Sequence, residues 1–125
     1  RQVLKTREES RAMDLREQKC KPCEGGVPPF TEEEAKEYLS EVPDWEIAQE
    51  NGRLCIRRTF KFKDFKGSWR FFDEVAALAE DEGHHPDILV RWNRVTITLT
   101  THAIKGLSIN DFIMAAKIDD LYGSS

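Results

Sequence analysis

Ile88-Leu89-Val90-Arg91-Trp92-Asn93-Arg94-Val95-Thr96-Ile97-Thr98-Leu99-Thr100-Thr101 decides the fold, because its second half alternates apolar and polar residues after a polar pair. That period belongs to a half-buried strand. The stretch therefore reads as two strands, Ile88–Trp92 and Val95–Thr101, joined at Asn93-Arg94. A turn centred between those two residues sets Trp92 opposite Val95, Val90 opposite Ile97 and Ile88 opposite Leu99. Carried further, the same register sets His85 opposite His102, with Cα atoms about 4.5–5.5 Å apart. His102 also continues the row of Thr96, Thr98 and Thr100, on the face away from the apolar residues.

Upstream of this hairpin, Phe65, Trp69, Phe72, Ala76 and Ala79 recur at spacings of four and three, and Phe71, Val75 and Leu78 widen the stripe. The pattern predicts a long helix with a broad buried face, ended by Gly83. Trp45–Gln49 and Leu54–Phe60 form another hairpin around Asn51-Gly52, which places Ile47 opposite Ile56. Before it, Thr31 and Glu34 make a capping box for a short helix bearing Ala35, Tyr38, Leu39 and Val42, stopped by Pro43. Downstream, Ser108 and Asp111 make a second capping box, with Leu107 and Phe112 at staple positions, for a helix reaching about Tyr122. The order is helix, hairpin, helix, hairpin, helix. Two hairpins in one four-stranded antiparallel sheet with helices on one face make an α+β domain spanning residues 30–125.

Residues 1–29 have a different character. Arg7, Glu8, Glu9, Arg11, Asp14, Arg16, Glu17 and Lys19 crowd the first part, which reads as a solvated helix or flexible arm. Cys20-Lys21-Pro22-Cys23, Gly25-Gly26 and Pro28-Pro29 follow as a linker. Without core-forming periodicity, this arm is expected to be dispensable for catalysis. The start at Arg1 reads as a processed product, a trimmed chain or a fragment.

Composition narrows the function. The 125 residues suit one compact domain. A net charge of −4 argues against nucleic acid as a direct ligand. With 34% charged residues and no apolar run of the roughly 18–20 residues a span requires, no membrane role is expected. Three cysteines are an odd count for a disulfide framework and favour a reducing compartment.

The chemistry-bearing residues gather in one stretch. His84, His85 and His102 are the only histidines, and paired imidazoles suit proton transfer near neutral pH. Zinc is the competing use. Yet the spacing lacks an H-E-x-x-H, and Cys20-x-x-Cys23 has no second pair, so no metal is expected. That C-x-x-C reads as a packing or disordered element, with intersubunit zinc or a redox pair as alternatives. Glu80, Asp81 and Glu82 crowd a helix C-terminus, where the dipole disfavours anions. Either the turn is merely solvated, or one carboxylate, Glu80 foremost, orients a histidine or grips a ligand. Asp111 reads first as a cap and second as a catalytic group.

Glu80, three residues, His84-His85-Pro86, five residues, Trp92, nine residues, His102, eight residues and Asp111 together resemble the signature of the pterin-4a-carbinolamine dehydratases. A looser resemblance covers Phe30 to Tyr122, including Phe60-Lys61-Phe62-Lys63-Asp64-Phe65. It implies the same helix–hairpin–helix–hairpin–helix fold in homodimers or homotetramers, expected to meet through sheet edges and the last helix. It also implies a hydro-lyase that needs no cofactor and converts 4a-hydroxytetrahydropterin to quinonoid dihydropterin and water. His84 and His102 would be the acid/base pair, and His85 would mainly hold the pterin substrate. Glu80, Gly83, Thr100, Thr101, Ala103 and Asp111 would complete the binding site. Many members carry Asp where this chain has Gly83, so a contact from that carboxylate is absent here. The C-x-x-C, Glu82-Gly83-His84-His85-Pro86 and Gly106-Leu107-Ser108-Ile109-Asn110-Asp111-Phe112 are most similar to plant and algal organellar members. That similarity implies a mitochondrion or plastid after transit-peptide removal, with the cytoplasm as alternative. Relatives that dimerise a transcription factor or assemble Rubisco make a protein-partner role the alternative function.

Overall fold

The computed structural model describes residues 15–22 and 27–124. Much of the charged arm, together with Cys23 and Gly25-Gly26, lies outside the described residues. The elements are α1 (Glu32–Leu39), β1 (Glu46–Glu50), β2 (Arg53–Lys61), α2 (Phe65–Glu82), β3 (Asp87–Arg91), β4 (Arg94–Leu99), a 3-10 turn (His102–Ile104) and α3 (Ile109–Gly123). Residues 15–17 are helical as well. All neighbouring strands are antiparallel, in the order β1-β2-β4-β3. This is the α+β architecture expected from the alternation of hairpins and amphipathic stretches.

Local chemistry sets the element ends. Thr31 accepts from the Glu34 N–H while Glu34 accepts from the Thr31 N–H, closing the first capping box. Asn51 and Gly52 both adopt positive φ, 53° and 76°, as a tight two-residue hairpin turn requires. Ile47 pairs with Ile56 as predicted. Gly83 ends α2 in the left-handed region at φ 68°, where a side chain would strain the backbone.

The second hairpin keeps its faces but shifts its register by two residues. Val90 pairs with Val95 and Ile88 with Ile97, and the turn falls at Trp92-Asn93. Continued alternation kept every apolar residue on the same side in either register, so hydrophobic pattern could not choose between them. The Phe62 N–H bonds the Asn93 carbonyl at 2.8 Å, so the turn is also tied to the end of β2. The strand stops at Leu99 instead of Thr101. His85 and His102 are therefore not a cross-strand pair, and His102 leaves the threonine row for the 3-10 turn.

The stripe on α2 needs a second correction. Ser68, Phe71, Val75, Ala79 and Glu82 are its buried residues. Phe65, Trp69 and Phe72 are 50%, 55% and 37% exposed. Both rows recur at helical spacing, but one sheet can cover only one arc of the helix. The covered arc packs Phe71 on Phe60 and Phe62, with ring centroids 4.8 and 5.1 Å away. In contrast, α3 is submerged: Asn110 through Ala116 and Ile118 are all buried. Apart from its C-terminal end, the last helix belongs to the core and leaves little face for a second chain.

Candidate active site

The site lies where the C-terminus of α2, the segment after β4 and the N-terminus of α3 converge. His84 and His85 follow the Gly83 cap directly. Beyond β4, Thr101 bridges to Gly106 through the Thr101 N–H at 2.8 Å and the Gly106 N–H at 3.3 Å. Lys105, at φ 58°, reverses the chain within that loop. This closed loop presents His102 and Ala103 to solvent beside His84. Thr100 donates its hydroxyl to the Leu54 and Gly106 carbonyls at 2.9 and 3.2 Å, which fixes the loop's first strand-end residue.

Asp111 organises the centre. Its carboxylate is fully buried, and one oxygen lies 2.7 Å from His84 Nε2. The other oxygen accepts from Thr101 Oγ1 at 2.8 Å and from the Ser108 N–H at 3.0 Å. Since Thr101 gives its proton to the carboxylate, the Ser108 hydroxyl, 2.8 Å away, donates to Thr101. The cap and the histidine partner are thus the same side chain. An ionised carboxylate only accepts, so in that pairing His84 Nε2 is the donor.

His85 turns outward. Its Nε2 lies 2.5 Å from Glu80 Oε2, with the two side chains 60% and 80% exposed. Asp81 is exposed and pairs with Lys19 Nζ at 3.4 Å. Glu82 is buried, accepting from Lys117 Nζ and from the Cys20 N–H, both at 2.8 Å. Burial pushes the Glu82 carboxyl up, but these two donors outweigh it and hold it below its ordinary value.

A cavity of about 280 Å³ opens over this centre, lined by Gly83, His84, His85, Thr100, Thr101, His102 and Ala103. The structure therefore brings together seven of the nine residues named from the sequence. Glu80 and Asp111 stand behind, each against one histidine. The sequence reading missed Lys21, Pro22 and Asn110, which line the same cavity. Lys21 and Pro22 stand within the C-x-x-C and Asn110 within the 106–112 stretch, but neither pattern brings them to the pocket, since their placement depends on a contact across 89 residues. Among the described residues, no three His, Cys, Asp or Glu side chains form a metal-binding group.

A family profile described as pterin 4 alpha carbinolamine dehydratase matches residues 28–121. The chain belongs to that family. Among dehydratase-family relatives, a protein of Azoarcus sp. (strain BH72) is 46% identical over 110 residues, covering 88% of this chain and 92% of its own. A protein of Chlorobium luteolum is 42% identical over 109 residues, covering 87% and 96%. Both carry the name pterin-4-alpha-carbinolamine dehydratase provisionally. The crystal structure of a transcriptional coactivator/pterin dehydratase from Brucella melitensis superposes with a TM-score of 0.69 at 38% identity, covering 76% of this chain and 99% of that one. A pterin dehydratase-like protein identified as a Rubisco assembly factor of the alpha-carboxysome gives 0.56 at 29% identity, covering 66% and 93%. The dehydratase fold thus accompanies more than one role among similar proteins.

Proposed function

We propose that the chain dehydrates 4a-hydroxytetrahydropterin to quinonoid dihydropterin by histidine acid/base catalysis, without metal or organic cofactor. The observation that carries this reading is His84, locked by a buried carboxylate at 2.7 Å and facing the same cavity as His102. The reaction breaks the C4a–O bond and forms the N5=C4a double bond. One imidazole protonates the departing hydroxyl as water leaves, and the other takes the N5 proton, so that protons balance over the cycle. Asp111 keeps His84 in one tautomer and stabilises its cationic form. His85, exposed and paired with Glu80, holds the substrate instead.

The test is stopped-flow dehydration of 4a-hydroxytetrahydropterin by the purified chain, with and without chelator. The expected result is acceleration that chelator leaves intact. No acceleration overturns the reading, and loss on chelation restored by zinc overturns its metal-free form.

Association as a homodimer or homotetramer, and with it a partner-binding role, has its own support. Phe65, Trp69, Phe72 and Val90 line an exposed apolar groove of about 460 Å³, while Leu89 and Trp92 are 50% and 63% exposed nearby in sequence. Apolar groupings of this kind mark interaction surfaces, and β1 and β3 are open sheet edges. Light scattering should return a multiple of the 14.5 kDa chain mass; a monomer at micromolar concentration overturns this.

A further inference from the structure

The segment Cys20–Pro22 lies before the 28–121 span matched by the family profile, yet it lies against the histidine cavity. Four hydrogen bonds fix it there. The Asn110 side chain accepts from the Lys21 N–H at 3.1 Å and donates to the Lys21 carbonyl at 2.6 Å, pairing both polar groups of one residue. The Cys20 N–H donates to Glu82 at 2.8 Å, and its thiol donates to the Asn110 carbonyl at 3.6 Å. Further back, Leu15 is 1% exposed within the core cluster and anchors the approach.

The two helix ends that grip the segment are those that set the catalytic centre. Glu82 precedes His84 by two residues at the end of α2. Asn110 adjoins Asp111 in the first turn of α3. Burial, then the Glu82 carboxylate, pushes the Cys20 thiol up to about 12, so it is a neutral donor here and not a nucleophile. Lys21 and Pro22 remain exposed and line the cavity, bringing an ammonium with three donors and a rigid apolar ring.

We propose that Lys21 and Pro22 form a substrate-binding wall of this pocket, with Asn110 and Glu82 as positioning residues. The inference rests on the dehydratase reading, because the ligand it assigns is the reduced pterin of that reaction. The wall reverses the expectation that the arm is dispensable: it contributes binding while the histidines supply the proton transfers.

The experiment measures stopped-flow kinetics and direct binding of 7,8-dihydropterin by the full chain and three variants. Lys21→Glu should raise KM and the Kd for the probe roughly 10–100-fold, the range expected for losing a charged hydrogen bond, with kcat within about twofold. Asn110→Ala should do the same and speed alkylation of Cys20. Lys19→Ala, at an exposed pair with Asp81 of 3.4 Å, should leave both constants unchanged. If Asn110→Ala fails to fold, Lys21→Glu decides alone, since that residue is exposed. Wild-type KM and Kd in Lys21→Glu overturn the wall while leaving the dehydratase reading intact. A native chain that neither binds the probe nor turns over overturns both.

Discussion

His84 and His85 are adjacent in sequence, each faces a carboxylate, and yet their surroundings are opposite. Asp111 is fully buried with three partners, His84, the Thr101 hydroxyl and the Ser108 N–H, and the His84 side chain is 12% exposed. Glu80 and His85 are mostly in solvent. In the first pair the low local dielectric strengthens the hydrogen bond and removal of one partner strands the other. In the second, water screens the charges and the long Glu side chain loses entropy on pairing, so the contact contributes at most about 1 kcal/mol. Similar chemistry thus divides by burial alone into a buried, fixed couple and a solvated, adaptable one, and the proposed split between catalysis and binding rests on that contrast.

The comparison breaks most visibly in turnover. His84→Ala and His102→Ala should each lower kcat by about 10²-fold or less, because one acid/base group can partly cover for the other. The double variant should fall further, toward the full 10²–10⁴-fold typical of general acid–base catalysis. His85→Ala should raise KM with little change in kcat. If His85→Ala destroys kcat while His84→Ala spares it, the roles are reversed and burial is a poor guide to them.

Asp111→Ala should show the same asymmetry in stability. It leaves the Ser108 N–H, Thr101 and His84 without their acceptor, so chemical denaturation should report a loss on the order of 3 kcal/mol. A loss below about 1 kcal/mol would mean water replaces the carboxylate.

A pH titration sharpens the contrast between neighbouring carboxylates of the acidic turn. The folded chain holds Glu82 below its ordinary value of 4.5. Its stabilising contribution is therefore complete above that value and is lost as pH falls below it. Wild type should lose stability more steeply than Glu82→Gln as the pH drops through that range; parallel curves would dissolve the effect. The smallest change is expected at the exposed pair, where Glu80→Gln should shift stability by less than about 0.5 kcal/mol.

Hairpins, capping boxes and the order of elements were legible because they rest on residues near one another in the chain. Asn51-Gly52, Gly83 and Ser108 each act within one turn, and local sterics and hydrogen bonding leave few alternatives. The histidine set was legible too, through the spacing of Glu80, His84-His85-Pro86, Trp92, His102 and Asp111. The register of the second hairpin was not, since a two-residue shift preserves every face and tertiary contacts choose between the options. Nor was the buried side of α2, where two rows share one period and only the packing of Phe71 against β2 selects between them. Asn110 pairing with Lys21, Glu82 turning inward to Cys20 and Lys117, and Leu15 entering the core all join groups distant along the chain. Such contacts depend on where whole elements come to rest, which no local pattern records. Sequence alone thus determined the elements and the chemistry they carry, while tertiary packing decided which histidine is buried and what walls its pocket.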